Sequence, residues 1–545
     1  MFGTMMDRPL TLDLIFERGG RYFPRQQIVT RTLSGVHRCT YRDFYHRSKQ
    51  LMNALHKLGV SEGERVATFC WNHYQHLELY FAVPLCGAVL HTVNLRLFAE
   101  QIVFIIAHAQ DRILFLDRSL FPLLAPLMDR LDRLELLVLL GEGETPKAPA
   151  GKRVLDYEDL IRDESPEFEY LALDERSAAG LCYTSGTTGN PKGVGYTHRS
   201  VCLHALALCA VDTIAIRQSD SVLPVVPMFH ANAWGLPHAA VMAGAKLVLP
   251  GPKMDPASLV QLMREEAVTF SAGVPTIWAG ILDLLDKNPG QLPMMERMGV
   301  AGSAAPRAMI EGFQERHGIE IIHAWGMTET SPAGTICFLK SDLPQSGPDS
   351  YAIRATQGLP LPLFEVKAVG EKGLAVPWDG KTMGDLVVRG PWVSASYFEN
   401  EEASSSLLTP DGWMKTGDVV TIDSEGYLRI MDRSKDLIKS GGEWISSVDL
   451  ENLLMAHRDI KEAAVIAMPD PKWQERPLAF IVLRGDHAPT KAELDQFLLQ
   501  HLAKWQLPDR YEVVKEIPKT SVGKFDKKVL RVMAKEKGII GGPNG

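Results

Sequence analysis

Between residues 42 and 431 the sequence switches repeatedly between two hydrophobic periods, and that alternation restricts the fold more than any other feature. Residues 42–58 (RDFYHRSKQLMNALHKL) place apolar side chains at helical spacing and stop at Gly59; residues 65–70 (RVATFC) then read as a short buried strand. The same step recurs at 77–85 followed by 87–93, and at 257–266 followed by 268–272. Helices alternating with buried strands predict an α/β architecture, a mostly parallel sheet covered on both faces. A chain of 545 residues exceeds what one core holds, so at least two domains are expected.

The pattern changes near Met431. The stretches GDLVVRGPWVSASYF and GWMKTGDVVTIDSEGYLRI before it are rich in β-formers broken by turns, which predicts a small antiparallel β subdomain. A compact α+β pattern follows, with Ser446 three residues ahead of Asp449 as a helix start. The expected division is 1–434, a large domain of parallel α/β sheets plus the β subdomain, and 435–545, a small mobile α+β domain. Residues 141–152, rich in proline and glycine, read as a surface loop or a subdomain seam.

Composition narrows the function classes. Hydrophobic content of 46% with 23% charged residues is that of a soluble globular protein, and a net charge of -8 gives no general pull toward nucleic acid. The seven cysteines (Cys39, Cys70, Cys86, Cys182, Cys202, Cys209, Cys337) are scattered and form no C-x-x-C pair. That argues against a disulfide framework or a zinc site and for a reduced, cytoplasmic setting. The N-terminus mixes acids into its apolar residues and does not read as a signal peptide, and no apolar run is long enough for a transmembrane segment.

The most informative segment is YTSGTTGNPKG, residues 183–193. A strand over 178–183 enters a loop of small hydroxyl residues and glycines, followed by a helix around 199–209. Gly186 and Gly189 let the backbone approach an anion, Thr184, Ser185, Thr187 and Thr188 supply hydroxyl donors, and Lys192 supplies charge. This is phosphate-cradling chemistry without a Walker loop, since G-x-x-x-x-G-K-[ST] has no match.

With that loop the chain resembles the adenylate-forming superfamily of acyl-CoA synthetases, peptide-synthetase adenylation domains and luciferases. The family's other motifs follow in order: GMTET (326–330), KTGD (415–418), Asp432-Arg433 with Lys435, and PKTSVGK (518–524). PVVPMFHANAW (224–234), IKSGGEWISS (438–447) and HAWGMTE (323–329) are similar to bacterial medium- and long-chain fatty acyl-CoA synthetases. The resemblance covers essentially the whole chain.

The resemblance implies ATP, Mg2+ and CoA as cofactor and co-substrates, a fatty acid as substrate, and a homodimer by analogy. It implies that Thr184 and Glu329 serve the metal and that Thr328 bonds phosphate. Trp325, within His323-Ala324-Trp325-Gly326, stands where relatives stack an aromatic ring on adenine, and Gly302 allows close approach on the other side. Asp418 and Arg433 stand at the ribose, Lys435 at the hinge of the small domain, and Lys439 and Trp444 at the adenylate or the mobile interface. Lys524 is the lysine that holds the carboxylate against the α-phosphate. For the acyl group, Met228, His230, Trp234 and Val274 are the expected lining, with Trp234 as gate and His230 at the carboxylate.

Three other readings remain open at this point. They are a ligase for a short, sulfur-containing or aromatic acid, an adenylation enzyme serving a carrier protein, and a non-catalytic acyl or nucleotide sensor. Retention of Glu329, Asp418 and Lys524 counts against the sensor.

Overall fold

The computed structural model describes residues 1, 3–184, 190–370, 373–441, 443–485, 487–519 and 525–540. Their strands assemble into four sheets. The alternation seen in the sequence becomes two wound sheets of seven and nine strands. Within the seven-stranded sheet the strands Arg153–Asp156, Leu136–Leu140, Ile113–Asp117, Arg65–Phe69, Val89–Thr92 and Ala178–Tyr183 run parallel, and Gly193–Thr197 closes one edge antiparallel. The parallel heart of the nine-stranded sheet holds Glu320–Gly326, Arg297–Val300, Phe270–Gly273, Ser221–Pro224, Lys246–Leu249 and Gln27–Arg31.

Local chemistry fixes the helices between them. Thr40 caps the helix Tyr41–Lys57 by accepting from the Asp43 N–H, and Asp43 reaches back to the Thr40 N–H. The helix Tyr74–Leu85 is buried on every side, as expected for a helix sandwiched between the two sheets. One core cluster joins residues of both sheets and of the β subdomain, from Phe16 and Phe81 through Val222 to Trp392 and Val420.

The expected antiparallel subdomain is the four-stranded sheet Glu365–Val369, Gly384–Arg389, Met414–Ile422 and Leu428–Arg433. Beyond it a smaller α+β body is built on the strands Ile460–Asp470 and Gln474–Leu483, with the helix Ser447–Ala456 capped by Ser446. Residues 141–152 are a loop inside the seven-stranded sheet and not a seam, because they join the neighbouring strands Leu136–Leu140 and Arg153–Asp156. No described helix is long and apolar enough to cross a membrane.

Candidate active site

The strand Ala178–Tyr183 turns through the glycine-rich loop into the antiparallel strand Gly193–Thr197, and only then into the helix His198–Cys209. The described residues flanking the loop are thus paired antiparallel strands, and the helix begins only after the second of them. Continued β alternation through Gly193-Val-Gly-Tyr-Thr197 is the signal that distinguishes the two. Its neck is closed by Thr184 and Lys192: the Thr184 N–H donates to the Lys192 carbonyl (2.9 Å), and the Lys192 N–H donates to the Thr184 hydroxyl (3.1 Å). Ser185, Gly186, Thr187, Thr188 and Gly189, and Lys524 near the C-terminus, lie outside the described residues.

A strap over residues 394–398 ties this neck to the Glu329 turn. The Phe398 N–H donates to the Gly193 carbonyl (2.8 Å) and the Ser394 N–H to the Glu329 carbonyl (2.8 Å). Between those anchors the Tyr397 hydroxyl donates to Glu329 Oε1 at 2.8 Å, and the Lys192 ammonium stands over the Tyr397 ring at 4.8 Å. Burial and the adjacent Glu329 carboxylate raise the Tyr397 phenol, which stays protonated. Sequence reasoning missed Tyr397, because the motif-free stretch around it reads only as β-forming. Thr328 opens the same short turn, and its carbonyl accepts from the Tyr196 hydroxyl (2.8 Å).

A second cluster gathers Trp325, Asp418 and Arg433. The Trp325 Nε1–H donates to Asp418 Oδ2 (3.0 Å), and Arg433 Nε pairs with Asp418 Oδ1 (2.9 Å). Trp325 is only 6% exposed, its ring resting on Gly334, so one face at most remains for a ligand. Gly326 has no alternative: a Cβ there would sit 1.9 Å from the Pro332 carbonyl oxygen.

His323 does not join the site. It is 1% exposed, its Nε2 accepts from the Ala305 N–H (3.3 Å), and its Nδ1 donates to the Ala355 carbonyl (3.1 Å). Burial pushes its imidazole down to about 4, so the ring is neutral and acts as a post under the segment 302–305.

The expected acyl-lining residues divide. Trp234, His230 and Val274 line one cavity together with Gly302, Phe229, Ile277 and Arg96. Met228 does not: it is fully buried, its N–H donating to Asn72 (2.7 Å) and its carbonyl accepting from Tyr80. Residues 231–235 all carry positive φ, from 42° at Ala231 to 75° at Gly235. Such a left-handed run costs roughly 1–2 kcal/mol per non-glycine residue and marks a constrained segment. The cavity opens at the carboxyl ends of Ser221–Pro224 and Phe270–Gly273, adjacent strands whose outgoing connections leave in opposite directions. Open α/β sheets bind ligands at such switch points. The mouth residue Arg96, also missed in the sequence, lies against the Phe229 ring (6.0 Å) and forms no ion pair among the described residues.

Lys439 and Trp444 face each other across a hairpin of the small α+β body, the ammonium 5.4 Å from the ring, and belong to neither cluster. Lys435 lies exposed between the last strand of the four-stranded sheet and that hairpin.

Comparison with known proteins places this geometry. Residues 16–398 match the AMP-binding enzyme model and residues 449–524 the AMP-binding enzyme C-terminal domain. The chain is 50% identical to a long-chain-fatty-acid–CoA ligase of Thermus thermophilus, over 97% of this chain and 96% of that protein. It is 42% identical to a medium-chain-fatty-acid–CoA ligase of Ectopseudomonas oleovorans, over 97% of each. The crystal structure of an anthranilate CoA ligase, AuaEII, in complex with anthranoyl-AMP superimposes with a TM-score of 0.87 at 28% identity, covering 98% of this chain and 99% of that one. Matched over most of its length by sequence, domain model and structure, the chain belongs to the AMP-binding enzyme family.

Proposed function

We propose that this protein is an acyl-CoA synthetase that activates a medium- or long-chain fatty acid with ATP. The observation that carries the reading is the switch-point cavity, where an apolar wall (Val225, Val226, Phe229, Trp234, Val274) meets His230 and Gly302. In the first half-reaction a carboxylate oxygen attacks the α-phosphorus of ATP, and the bond to pyrophosphate breaks. In the second the CoA thiolate attacks the acyl carbon, and AMP leaves with the bonding electrons. Neither half needs a protein nucleophile, so the protein's contribution is positioning and charge neutralisation.

The clusters divide that work. Asp418, already oriented by Trp325 and Arg433, keeps lone pairs for the ribose hydroxyls. The Thr184–Lys192 neck, braced by Tyr397, brings a cation and the Glu329 carboxylate to the phosphates. Lys524 orients the carboxylate during adenylation, and rotation at Lys435 exchanges the small domain between half-reactions. The donor set fits a magnesium ion: among the described residues only one oxygen of Glu329 is engaged, and no group of three His, Cys, Asp or Glu residues forms a resident cage. Glu329 and Thr184 would hold it, most ligands coming from phosphate and water. Bound there, magnesium neutralises charge on the phosphate oxygens.

The test is carboxylate-dependent ATP–pyrophosphate exchange over acids from C3 to C18, followed by addition of CoA. Exchange that peaks with medium or long chains, and acyl-CoA after CoA is added, supports the reading. A peak at short, sulfur-containing or aromatic acids replaces the substrate class, and exchange without thioester formation removes CoA as acceptor.

A further inference from the structure

The two wound sheets follow one path. The strands Arg65–Phe69, Val89–Thr92, Ile113–Asp117 and Leu136–Leu140 step outward, cross back and continue, as Ser221–Pro224, Lys246–Leu249, Phe270–Gly273 and Arg297–Val300 do. Each sheet therefore has its own switch point, between the first and third strands of its series. One is the candidate active site. Beside the other, at the carboxyl ends of Ile113–Asp117, Leu136–Leu140 and Arg153–Asp156 and against the first turn of Tyr74–Leu85, lies a cavity of roughly 280 Å³ closed on one side by residues 30–33 of the other sheet. The two cavities share no lining residue.

Two polar atoms in this second cavity are left over. His73 is 6% exposed, and its Nδ1 accepts from the His76 N–H (3.2 Å). A neutral ring then carries its proton on Nε2, and burial holds the ring neutral, pushing it down to about 3. Among the described residues Nε2 has no hydrogen-bond partner, and it lies 3.5 Å from Asp117 Oδ2. Asp117 Oδ1 is taken by the Ser119 N–H (3.0 Å) and hydroxyl (2.6 Å), which leaves Oδ2 as an acceptor. Donor and acceptor thus sit side by side, too far apart to satisfy each other well.

Charge narrows the ligand. Arg118 is bound by Asp156 and the Gly141 carbonyl, Arg31 by the Ser258 carbonyl and Glu265, and Glu158 by Arg47 and Gln75. Among the described residues Asp117 and Glu142 form no ion pair with a lysine or arginine, so the surplus is negative and opposes phosphates and carboxylates. A cation has no lone pair with which to accept the His73 N–H. A hydroxyl both accepts and donates, and matches the pair. His37 stacked on Tyr74, centroids 4.0 Å apart, adds a flat wall for the C–H face of a ring. We propose that this second cavity binds a neutral polyhydroxylated ring, a sugar or a cyclic polyol, through His73 and Asp117.

The experiment is ligand-observed NMR and calorimetry on the full-length chain, with glucose and myo-inositol as probes and glucose 6-phosphate as the anionic counterpart. Saturable binding of either neutral probe is expected, at least about tenfold tighter than the phosphate, a ratio worth about 1.4 kcal/mol. Asp117→Asn, which replaces the acceptor with a donor, weakens that binding at least about tenfold and leaves pyrophosphate exchange intact. Glu142→Lys, on the rim, tightens glucose 6-phosphate and serves as the second variant if Asp117→Asn does not fold. Absence of saturation by both neutral probes, equal binding of the phosphate, or indifference to the folded variants overturns the proposal. So does a probe-soaked crystal in which the cavity holds water only.

Discussion

The Trp325 indole N–H and the Arg433 guanidinium hold opposite oxygens of one buried carboxylate, Asp418, at 3.0 and 2.9 Å. The diol acceptor is thereby oriented before any nucleotide arrives. Asp418→Asn should raise KM for ATP about 10- to 100-fold, the worth of one or two hydrogen bonds to a charged group, while KM for the acid changes far less. Trp325→Phe should show the same selectivity at about tenfold or below. Steady-state kinetics with each substrate varied decides; an equal rise in both KM values would show general damage instead.

Tyr397 offers a finer cut. Tyr397→Phe keeps the ring under Lys192 but removes the hydrogen bond to Glu329. Pyrophosphate exchange should fall about tenfold, with a higher magnesium requirement, while thermal stability drops by about 1 kcal/mol or less. Unchanged magnesium dependence would confine Tyr397 to packing.

His323 makes stability depend on pH. Its folded pKa, about 4, lies below the ordinary value of 6.5, so the unfolded chain takes up the proton first. Its contribution is complete above pH 6.5 and is lost as pH falls toward 4, with a slope of at most about 1.4 kcal/mol per pH unit. His323→Gln, which can still accept from Ala305, should flatten the pH dependence by that share. Urea unfolding at pH 7, 6 and 5 on both proteins measures it, and identical slopes would refute the assignment.

Trp234 is half-buried at the cavity wall. Trp234→Ala should shift the chain-length profile of accepted acids while the ATP requirement stays. A stability loss of about 3–5 kcal/mol with an unchanged profile would make it a core residue only. A melting curve and the acid series on one preparation separate the outcomes.

Rotation at Lys435 would have to part bonds that span it. Asp432 Oδ2 accepts from the Ser447 N–H (2.7 Å) and hydroxyl (2.5 Å), and Arg429 pairs with Asp449 (2.7 Å) across the same junction. Lys435→Pro pins φ near about −65°. It should keep carboxylate-dependent pyrophosphate exchange and lose acyl-CoA formation, whereas Lys435→Ala should be mild. A folded proline variant that makes acyl-CoA at the wild-type rate moves the hinge elsewhere.

Periodicity and turn chemistry made the α/β sheets, the antiparallel subdomain and the Ser446 cap legible, because each is a local pattern. What escaped was set by packing across sequence distance. Met228 lies between a histidine and a proline-rich strand end in an apolar motif, yet Tyr80 of the helix Tyr74–Leu85 and Asn72 of the loop before it claim its backbone. His323 belongs to a recognisable motif, but strand alternation turns it inward while its neighbour Ala324 is partly exposed. Tyr397 and Arg96 gain meaning only from Glu329 and the cavity mouth, which no spacing rule connects to them.

The strap over residues 394–398 grips the phosphate-loop neck and the Glu329 turn through main-chain groups, the Phe398 N–H and the Ser394 N–H. Main-chain anchors do not depend on which side chain a residue bears. Ser394, Ser396 and Phe398 can therefore drift over evolutionary time while the brace survives, and Tyr397, whose hydroxyl is used, cannot drift as freely. Low similarity in this stretch between distant members of the family would thus be poor evidence of a changed site, and a tyrosine aligned there a better sign of a retained one than the length of the surrounding match.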